Sequence, residues 1–262
     1  MANEPSMDES LKEGHYARKQ IFCKSWLISW SHQSRFKLAL ELAHEFRGKR
    51  VLDYGCGDGT FLTLLLKSAD APAKAVGAEV DQKQIVDCRT RLANWPQLSF
   101  VAVPDLDLPE YAGQFDAIVC TEVLEHVVGR EVALDRFQRL LAPGGRLIIS
   151  VPVETGFSLV IKQSARTIAG WRGLGDYPGM SPYTWNDFFA SIVAGDNQHM
   201  VRPIHGVETG QPFHDHKGFN WRVLRKEVAA RFELERTLTS PVAWLGSLFA
   251  SQVWFLARKK RA

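Results

Sequence analysis

The chain has 262 residues, of which 45% are hydrophobic and 23% are charged, with a formal net charge of +3 and a pI near 8.7. This length suits one globular domain with an elaboration, and so mild a charge does not by itself indicate nucleic-acid binding. The polar, acidic N-terminus lacks the apolar core of a signal peptide, and the 4 cysteines are too scattered for a disulfide framework or a thiolate zinc site. The composition predicts a cytoplasmic protein.

Strand-like and helix-like segments alternate from about residue 35 onward. Asp81 is placed to cap the helix after the second strand, and Pro143-Gly144-Gly145 is predicted to close a helix that buries Leu141. Strands separated by helices of this length pair in parallel with right-handed crossovers. The predicted strands of this part lie at 50–54, 75–80, 98–103, 115–120 and 146–151.

The alternation breaks after Pro152 and returns with a predicted helix at 221–231. The two strands that follow, FELERTLT and QVWFLAR, have no helix between them and are expected to pair antiparallel at the sheet edge. We therefore predict a doubly wound, Rossmann-like α/β fold: a seven-stranded, mostly parallel sheet with an antiparallel edge strand and an inserted segment before the last two strands. The predicted divisions are a helical lid segment (1–34), a core (35–152 and 219–262) and an inserted substrate or lid segment (153–218).

The stretch VLDYGCGDGTFLTLLL at 51–66 places glycines at alternate positions between a strand and a helix. In open α/β sheets, ligands bind at this end of the strands. Glu79 ends the second strand, about the ~20 residues further on at which a carboxylate takes ribose hydroxyls. The spacing G-x-G-x-G differs from a dinucleotide fingerprint, so a bare tight turn and a nicotinamide-dependent oxidoreductase both stay open here.

Four motifs in chain order resemble class I S-adenosylmethionine-dependent methyltransferases: GCGDG, GAEVD, TEVLEHV and LAPGGRLIISVP. The last two look most like the small-molecule branch typified by quinone-biosynthesis methyltransferases. The resemblance implies S-adenosyl-L-methionine as cofactor, S-adenosyl-L-homocysteine as product, and a small-molecule or lipid-linked acceptor methylated at oxygen. An [N/D]PPY-like tetrad is missing, so no nucleic acid is expected as a partner. A non-catalytic cofactor-binding subunit stays an alternative.

The resemblance also implies roles for the matching residues. Glu79 would bind the ribose hydroxyls of the cofactor. The residues that would hold its methionine part are Asp53, Gly55, Cys56, Gly57 and Gly59, where the Cys56 side chain only packs.

Further along the chain, the resemblance implies contacts with the other end of the cofactor. Val80 would lie against the adenine, and Asp105 would receive its amino group with Leu106 beside it. Thr121 and Glu122 would flank the reacting sulfonium.

Three histidines are candidates for the base that a hydroxyl acceptor needs: His126, His214 and His216. His214 and His216 flank Asp215, and a carboxylate beside two imidazoles can orient a proton acceptor. The alternatives are a helix-entry loop capped by Asn220, or a metal site with no assured third ligand. We predict no metal.

Two further segments mix aromatic and basic residues. The stretch 156–173 suits weak peripheral contact with a membrane surface, although a lid helix packed on the sheet explains it as well. Near the N-terminus, Tyr16, His32 and Arg35 belong either to a lid over the cofactor or to a packed surface helix.

Overall fold

A computed structural model describes residues 13–18, 26–160, 163, 181, 183–241 and 250–260. Its helices are α1 (Trp26–Leu42), α2 (Thr60–Lys67), α3 (Gln82–Arg91), α4 (Arg130–Leu140), α5 (Trp185–Ile192) and α6 (Trp221–Arg231). Its strands are β1 (Arg50–Tyr54), β2 (Lys74–Glu79), β3 (Leu98–Ala102), β4 (Phe115–Thr121), β5 (Leu141–Pro152), β6 (Ile204–His205), β7 (Phe213–His214), β8 (Phe232–Ser240) and β9 (Gln252–Lys259). Short 3-10 turns span Val103–Asp107 and Pro109–Tyr111.

Seven of these strands form one sheet in the order β3-β2-β1-β4-β5-β9-β8, while β6 and β7 form a separate antiparallel pair. Strand β1 pairs in parallel with β2 and with β4, and β2 pairs in parallel with β3. The sheet is mostly parallel and ends in one antiparallel edge pair, which confirms the predicted fold class.

The strands form where the sequence is continuously apolar, because a parallel sheet is covered on both faces. In β1 every residue after Arg50 is buried, and in β9 both Trp254 and Phe255 are fully enclosed. The predicted helix caps are also confirmed. The side chain of Asp81 accepts from the Lys83 amide (2.8 Å), and that of Asn220 accepts from the Arg222 amide (3.1 Å).

The boundary between α4 and β5 differs from the prediction. Helix α4 ends at Leu140, and Leu141 already begins β5, so the expectation of a helix running to Pro143-Gly144-Gly145 is wrong. Proline lacks an N–H and pushes the residue before it out of the helical region, so the chain becomes extended upstream of Pro143.

The chain forms two compact units. The first takes its described residues from 1–120, 136–148 and 259–262, and it contains β1, β2 and β3. The second takes them from 121–135 and 149–258, and it contains α5, α6 and the β6–β7 pair. The division into a lid at 1–34, a core and an insertion at 153–218 stays a prediction.

The predicted amphipathic segment 156–173 is described only at 156–160 and 163. There, Phe157 is exposed. Residues 161–162 and 164–173, which carry most of that pattern, lie outside the described residues. Within the parts of the chain that the structure covers, no helix has the length and apolar character to cross a bilayer.

Candidate functional site

The glycine loop, Gly55–Gly59, joins the end of β1 to the start of α2. Gly55, Gly57 and Gly59 have φ of 76°, 54° and 73°, a left-handed conformation that residues with a side chain rarely adopt. A Cβ on Gly59 would lie 2.9 Å from Leu92 Cδ1 and 3.3 Å from Phe100 Cζ. The loop therefore needs glycine both for its backbone shape and for close packing.

Glu79, at the end of β2, reaches the glycine loop as the parallel pairing of β1 and β2 predicts. Its Oε2 accepts from the Gly57 amide (2.9 Å), and its Oε1 accepts from the amides of Val80 (2.7 Å) and Asp81 (3.3 Å). A carboxylate offers about four lone-pair sites, so these bonds fix its orientation and leave acceptor capacity for a hydroxyl.

Asp53 lies in β1 with only 2% of its surface exposed. Burial, and then the neighbouring charges of Glu79 and Asp58, raise the pKa of this carboxyl to about 8. Three carboxyl groups crowded at one loop make a site that a cationic group stabilises. S-adenosylmethionine, which carries a sulfonium and an ammonium, fits this donor set.

Asp58 is a residue of the loop that the sequence analysis missed. Its Oδ1 accepts from the Thr60 amide (3.1 Å) and hydroxyl (2.6 Å), and its Oδ2 accepts from the amides of Tyr16 (2.8 Å) and Ala17 (3.2 Å). Asp58 thereby ties the segment 13–18 to the start of α2. The D-x-T pattern ahead of a helix indicates that Asp58 caps the helix. The sequence does not indicate that Asp58 also accepts from an amide 41 residues away.

Tyr16 also anchors that segment to α1. Its hydroxyl lies 2.5 Å from His32 Nδ1 and accepts from Arg35, and its ring packs edge-on against Phe36 with 6.0 Å between centroids. Burial, and then the charge of Arg35, lower the pKa of His32 to about 4, so the imidazole is neutral and Nδ1 accepts from the Tyr16 hydroxyl. The predicted aromatic and cationic residues therefore meet in one packed cluster.

The remaining predicted cofactor residues of the first unit differ in accessibility. Val80 is 58% exposed, which is unusual for a valine and leaves an apolar surface at the end of β2. Asp105 is exposed in the 3-10 turn, and its Oδ2 accepts from the Ala102 amide (3.2 Å). Leu106 is fully buried, so its side chain packs in the core. Burial raises the pKa of the Cys56 thiol, which keeps it neutral.

Thr121 and Glu122 belong to the second unit, where β4 ends. Glu122 has a φ of 57°. Among the residues that the structure describes, it is the only one other than glycine with a left-handed backbone. Ser150 holds it there: the Glu122 amide donates to the Ser150 carbonyl (2.9 Å), and the Ser150 hydroxyl donates to Glu122 Oε1 (3.1 Å). Strained backbone of this kind is typical of functional positions. Contact of Thr121 and Glu122 with a cofactor stays a prediction.

The histidine cluster consists of Glu125, His126 and His216 in the second unit. The Nδ1 of His126 donates to the His214 carbonyl (2.7 Å), which leaves the lone pair on Nε2. The rings of His126 and His216 meet edge to face at 4.8 Å, and His126 Nε2 lies 3.8 Å from an oxygen of Glu125, which is fully buried. The sequence offered no assured third metal ligand, but here three potential ligand atoms lie within 4.8 Å of one another.

Asp215 does not have the role that its position between two histidines suggested. Its carboxylate accepts from the amides of Ser181 (2.8 Å) and Lys217 (2.9 Å) and lies 3.3 Å from His205 Nε2. The ring of His214 is held separately, through Nδ1 to the Pro203 carbonyl (2.7 Å). The structure therefore brings His126 and His216 together, while Asp215 orients His205.

The second unit also contains a polar cavity of about 360 Å³. Its walls carry both cationic and anionic side chains and the first turns of α4 and α6. They include Arg130, Glu131, Gln198, His199, Arg202, His214, Gly218, Asn220 and Glu227.

Comparison with known proteins supplies the family. The sequence profile of a methyltransferase domain matches residues 29–193. A ubiquinone biosynthesis O-methyltransferase from Bordetella avium is 34% identical over 118 residues, which is 44% of this chain and 48% of that protein. A demethylmenaquinone methyltransferase from Thermus thermophilus is 33% identical over 141 residues, 52% of this chain and 64% of that one. The chain thus spans about half to two thirds of these relatives.

A solved structure has the same fold. The N-methyltransferase NodS from Bradyrhizobium japonicum, in complex with S-adenosyl-L-homocysteine, superposes with a TM-score of 0.53 at 14% identity, over 98% of this chain and 100% of that one. These similarities favour a methyltransferase over the nicotinamide-dependent oxidoreductase that the glycine spacing had left open.

Proposed function

The chain belongs to the methyltransferase family whose profile covers more than half of its length, with the class I S-adenosylmethionine-dependent fold. On that premise we propose that it transfers a methyl group from S-adenosyl-L-methionine to the oxygen of a small-molecule or lipid-linked acceptor. The activity, the acceptor and the methylated atom are parts of this proposal.

The observation that carries the proposal is the geometry of the glycine loop with Glu79. The glycines leave the loop backbone free of side chains. The hydrogen bond from the Gly57 amide fixes the Glu79 carboxylate beside the loop (2.9 Å). Glu79 would accept from the ribose hydroxyls, and Asp53 with the loop backbone would hold the methionine part. Exposed Val80 and Asp105 would contact the adenine.

The cofactor, when bound, supplies an activated methyl group that needs no further activation by the protein. The chain's own residues then have two tasks: to hold the reactants in line and to exclude water. A hydroxyl acceptor adds a third task, because its proton must be removed.

We propose that His126 accepts that proton at Nε2. Its Nδ1 proton is committed to the His214 carbonyl (2.7 Å), so Nε2 is the basic nitrogen. The buried Glu125 carboxylate, 3.8 Å from Nε2, stabilises the imidazolium that results. His216 would assist as the neighbouring ring. His214, whose pKa is lowered chiefly by burial, is held neutral at a separate position.

One of the two relatives supports an oxygen acceptor on a small molecule, since it is named an O-methyltransferase of ubiquinone biosynthesis. The cytoplasmic location and the weak membrane contact through 156–173 stay predictions. So does the alternative that the chain binds the cofactor for a partner without transferring methyl groups.

The experiment that tests the cofactor part is calorimetric titration of the purified chain with S-adenosyl-L-homocysteine and, separately, with NAD. We expect saturable binding of S-adenosyl-L-homocysteine and none of NAD. The opposite result would restore the oxidoreductase interpretation.

A further inference from the structure

The 3-10 turn Val103–Asp107, which we call the β3 turn, carries Asp105, the predicted acceptor for the adenine amino group. Within the turn, Asp105 Oδ2 accepts from the Ala102 amide (3.2 Å) and the Asp105 carbonyl accepts from the Leu108 amide (3.1 Å). These local bonds fix the shape of the turn. They do not fix its place relative to the glycine loop, and a ligand that contacts both needs that place to be defined.

Two arginines of α4 hold Asp107, the last residue of the β3 turn. Arg136 donates from Nε to Oδ1 and from Nη2 to Oδ2, both at 2.8 Å, and Arg139 donates from Nη2 to Oδ1 at 2.8 Å. Two parallel bonds between a guanidinium and a carboxylate fix the orientation of the pair as well as its distance. Arg139 also donates to the Leu106 carbonyl (2.7 Å), so the main chain of the turn is held too.

Arg136 also contacts the strand that leads into the glycine loop. Its Nη1 donates to the hydroxyl of Tyr54 (3.2 Å), the last residue of β1, which directly precedes Gly55. Tyr54 is buried, and its ring packs edge-on against Phe137 with 4.8 Å between centroids. One side chain therefore joins the β3 turn to the start of the glycine loop. All of these residues belong to the first unit.

The pair of Arg136 and Asp107 differs from an ordinary surface ion pair. Asp107 is 55% exposed, and isolated pairs at such positions contribute little to stability. Here the contact is bidentate, a second arginine shares the carboxylate, and the Arg136 side chain is only 16% exposed. The hydrogen bond from Arg136 lowers the pKa of the Asp107 carboxyl, so the carboxylate stays charged. Such a network restricts geometry more than it adds stability.

We propose that Arg136 is a positioning residue, which holds the β3 turn at a fixed place relative to the glycine loop and so makes the cofactor site selective for adenine. The inference rests on the proposed function, because it takes Asp105 as the acceptor for the adenine amino group. Arg136 itself acts through Asp107 and Tyr54. When the turn is released, Asp105 loses its bond to the amino group, whereas Glu79 still binds the ribose.

The test is calorimetric titration of the purified full chain with S-adenosyl-L-homocysteine and with S-inosyl-L-homocysteine, whose base has an oxygen in place of the amino group. We expect the wild type to prefer the adenosyl ligand about tenfold or more, because the oxygen cannot donate to Asp105. Arg136→Gln is expected to weaken adenosyl binding by about tenfold and inosyl binding by less than about twofold, which removes the preference. A general loss of structure would weaken both ligands alike.

Arg231→Gln is the matched control. Arg231 is also a helix arginine whose Nε donates to an exposed aspartate, Asp135 (2.5 Å), but this pair lies in the second unit. The control should keep the wild-type preference. If Arg136→Gln does not fold, Asp107→Asn tests the same contact from the side of the turn.

Two results would overturn the inference and leave the cofactor proposal in place: an unchanged preference in the folded variant, or wild-type protein that binds both ligands equally. No binding of S-adenosyl-L-homocysteine by the wild type would instead overturn the cofactor proposal, together with the inference that rests on it.

Discussion

The backbone N–H of Gly57 donates to the Glu79 carboxylate over 2.9 Å, and this bond joins the loop after β1 to the end of β2. Gly57 has a left-handed φ of 54°, and it is this backbone turn that lets its amide meet the Glu79 side chain. The glycines and the acid therefore act as one unit: the loop positions the carboxylate, and the carboxylate holds the loop.

Replacing Glu79 by alanine is expected to weaken S-adenosyl-L-homocysteine binding more than tenfold. The loss of a charged hydrogen-bond partner costs roughly 1.5–3 kcal/mol, and about 1.4 kcal/mol corresponds to a factor of ten. Titration calorimetry measures the change. Glu110→Ala, at an exposed position of the Pro109–Tyr111 turn, serves as the control and should bind normally. Unchanged affinity in a folded Glu79→Ala protein would show that the ribose binds elsewhere.

Asp53 is expected to make the free energy of unfolding fall as pH rises. Its pKa is raised to about 8 in the folded chain, so the folded state keeps a proton that the unfolded state, with a pKa of about 3.9, releases. The stabilisation is complete below about pH 4 and is lost as pH rises through about 8.

The isosteric Asp53→Asn mimics the protonated form and should remove this dependence. Urea denaturation at about pH 5 and about pH 9 measures it: the variant should gain stability relative to the wild type as pH rises. Parallel profiles for the two proteins would mean that Asp53 is ionised in the fold.

Asp58→Ala is expected to release the segment 13–18 from the glycine loop. The substitution removes the acceptor of the Tyr16 and Ala17 amides (2.8 and 3.2 Å) and of the Thr60 amide. Hydrogen exchange of residues 13–18 should become faster, while β1 and β2 keep their protection. Asp81→Ala, which removes the cap of α3, is the control and should leave the exchange of 13–18 unchanged. If residues 13–18 exchange at the same rate in Asp58→Ala as in the wild type, the contacts with α1 are enough to hold this segment.

His126→Gln is expected to slow methyl transfer by about 10²-fold or more and to leave cofactor binding intact, because general-base catalysis contributes on the order of 10²–10⁴. His216→Ala should act in the same direction with a smaller effect. The activity of the wild type should fall as pH decreases, because a protonated imidazole cannot accept the proton of the hydroxyl, and His126→Gln should remove this fall. The same fall at low pH in the variant would exclude His126 as the base.

Removal of metal ions tests whether His126 acts as a base or whether the histidine cluster binds a cation. If Nε2 of His126 accepts a proton, protein dialysed against a chelator keeps its full activity. Activity that is lost on chelation and restored by a divalent ion would assign Glu125, His126 and His216 to metal binding.

The sequence predicted the strands and the loop because their signals are local. Alternating glycines after an apolar strand and the acid at the end of the next strand require no knowledge of distant packing. Asp81 and Asn220 were predictable as caps for the same reason. The hydrogen bond between Asp58 and Tyr16 was not predictable, since it joins residues 42 positions apart. Likewise, nothing in the sequence around Asp215 predicts that its carboxylate contacts His205.

The central claim, methyl transfer from S-adenosyl-L-methionine to a small-molecule or lipid-linked acceptor, is tested most directly with methyl-labelled cofactor. The purified chain is incubated with an extract of its source cells, and the extract is then separated into lipid, polar-metabolite, polysaccharide, protein and RNA fractions. We predict label in the lipid or polar-metabolite fraction that disappears with Glu79→Ala. Label in protein or RNA, or no label despite measured cofactor binding, would contradict the claim.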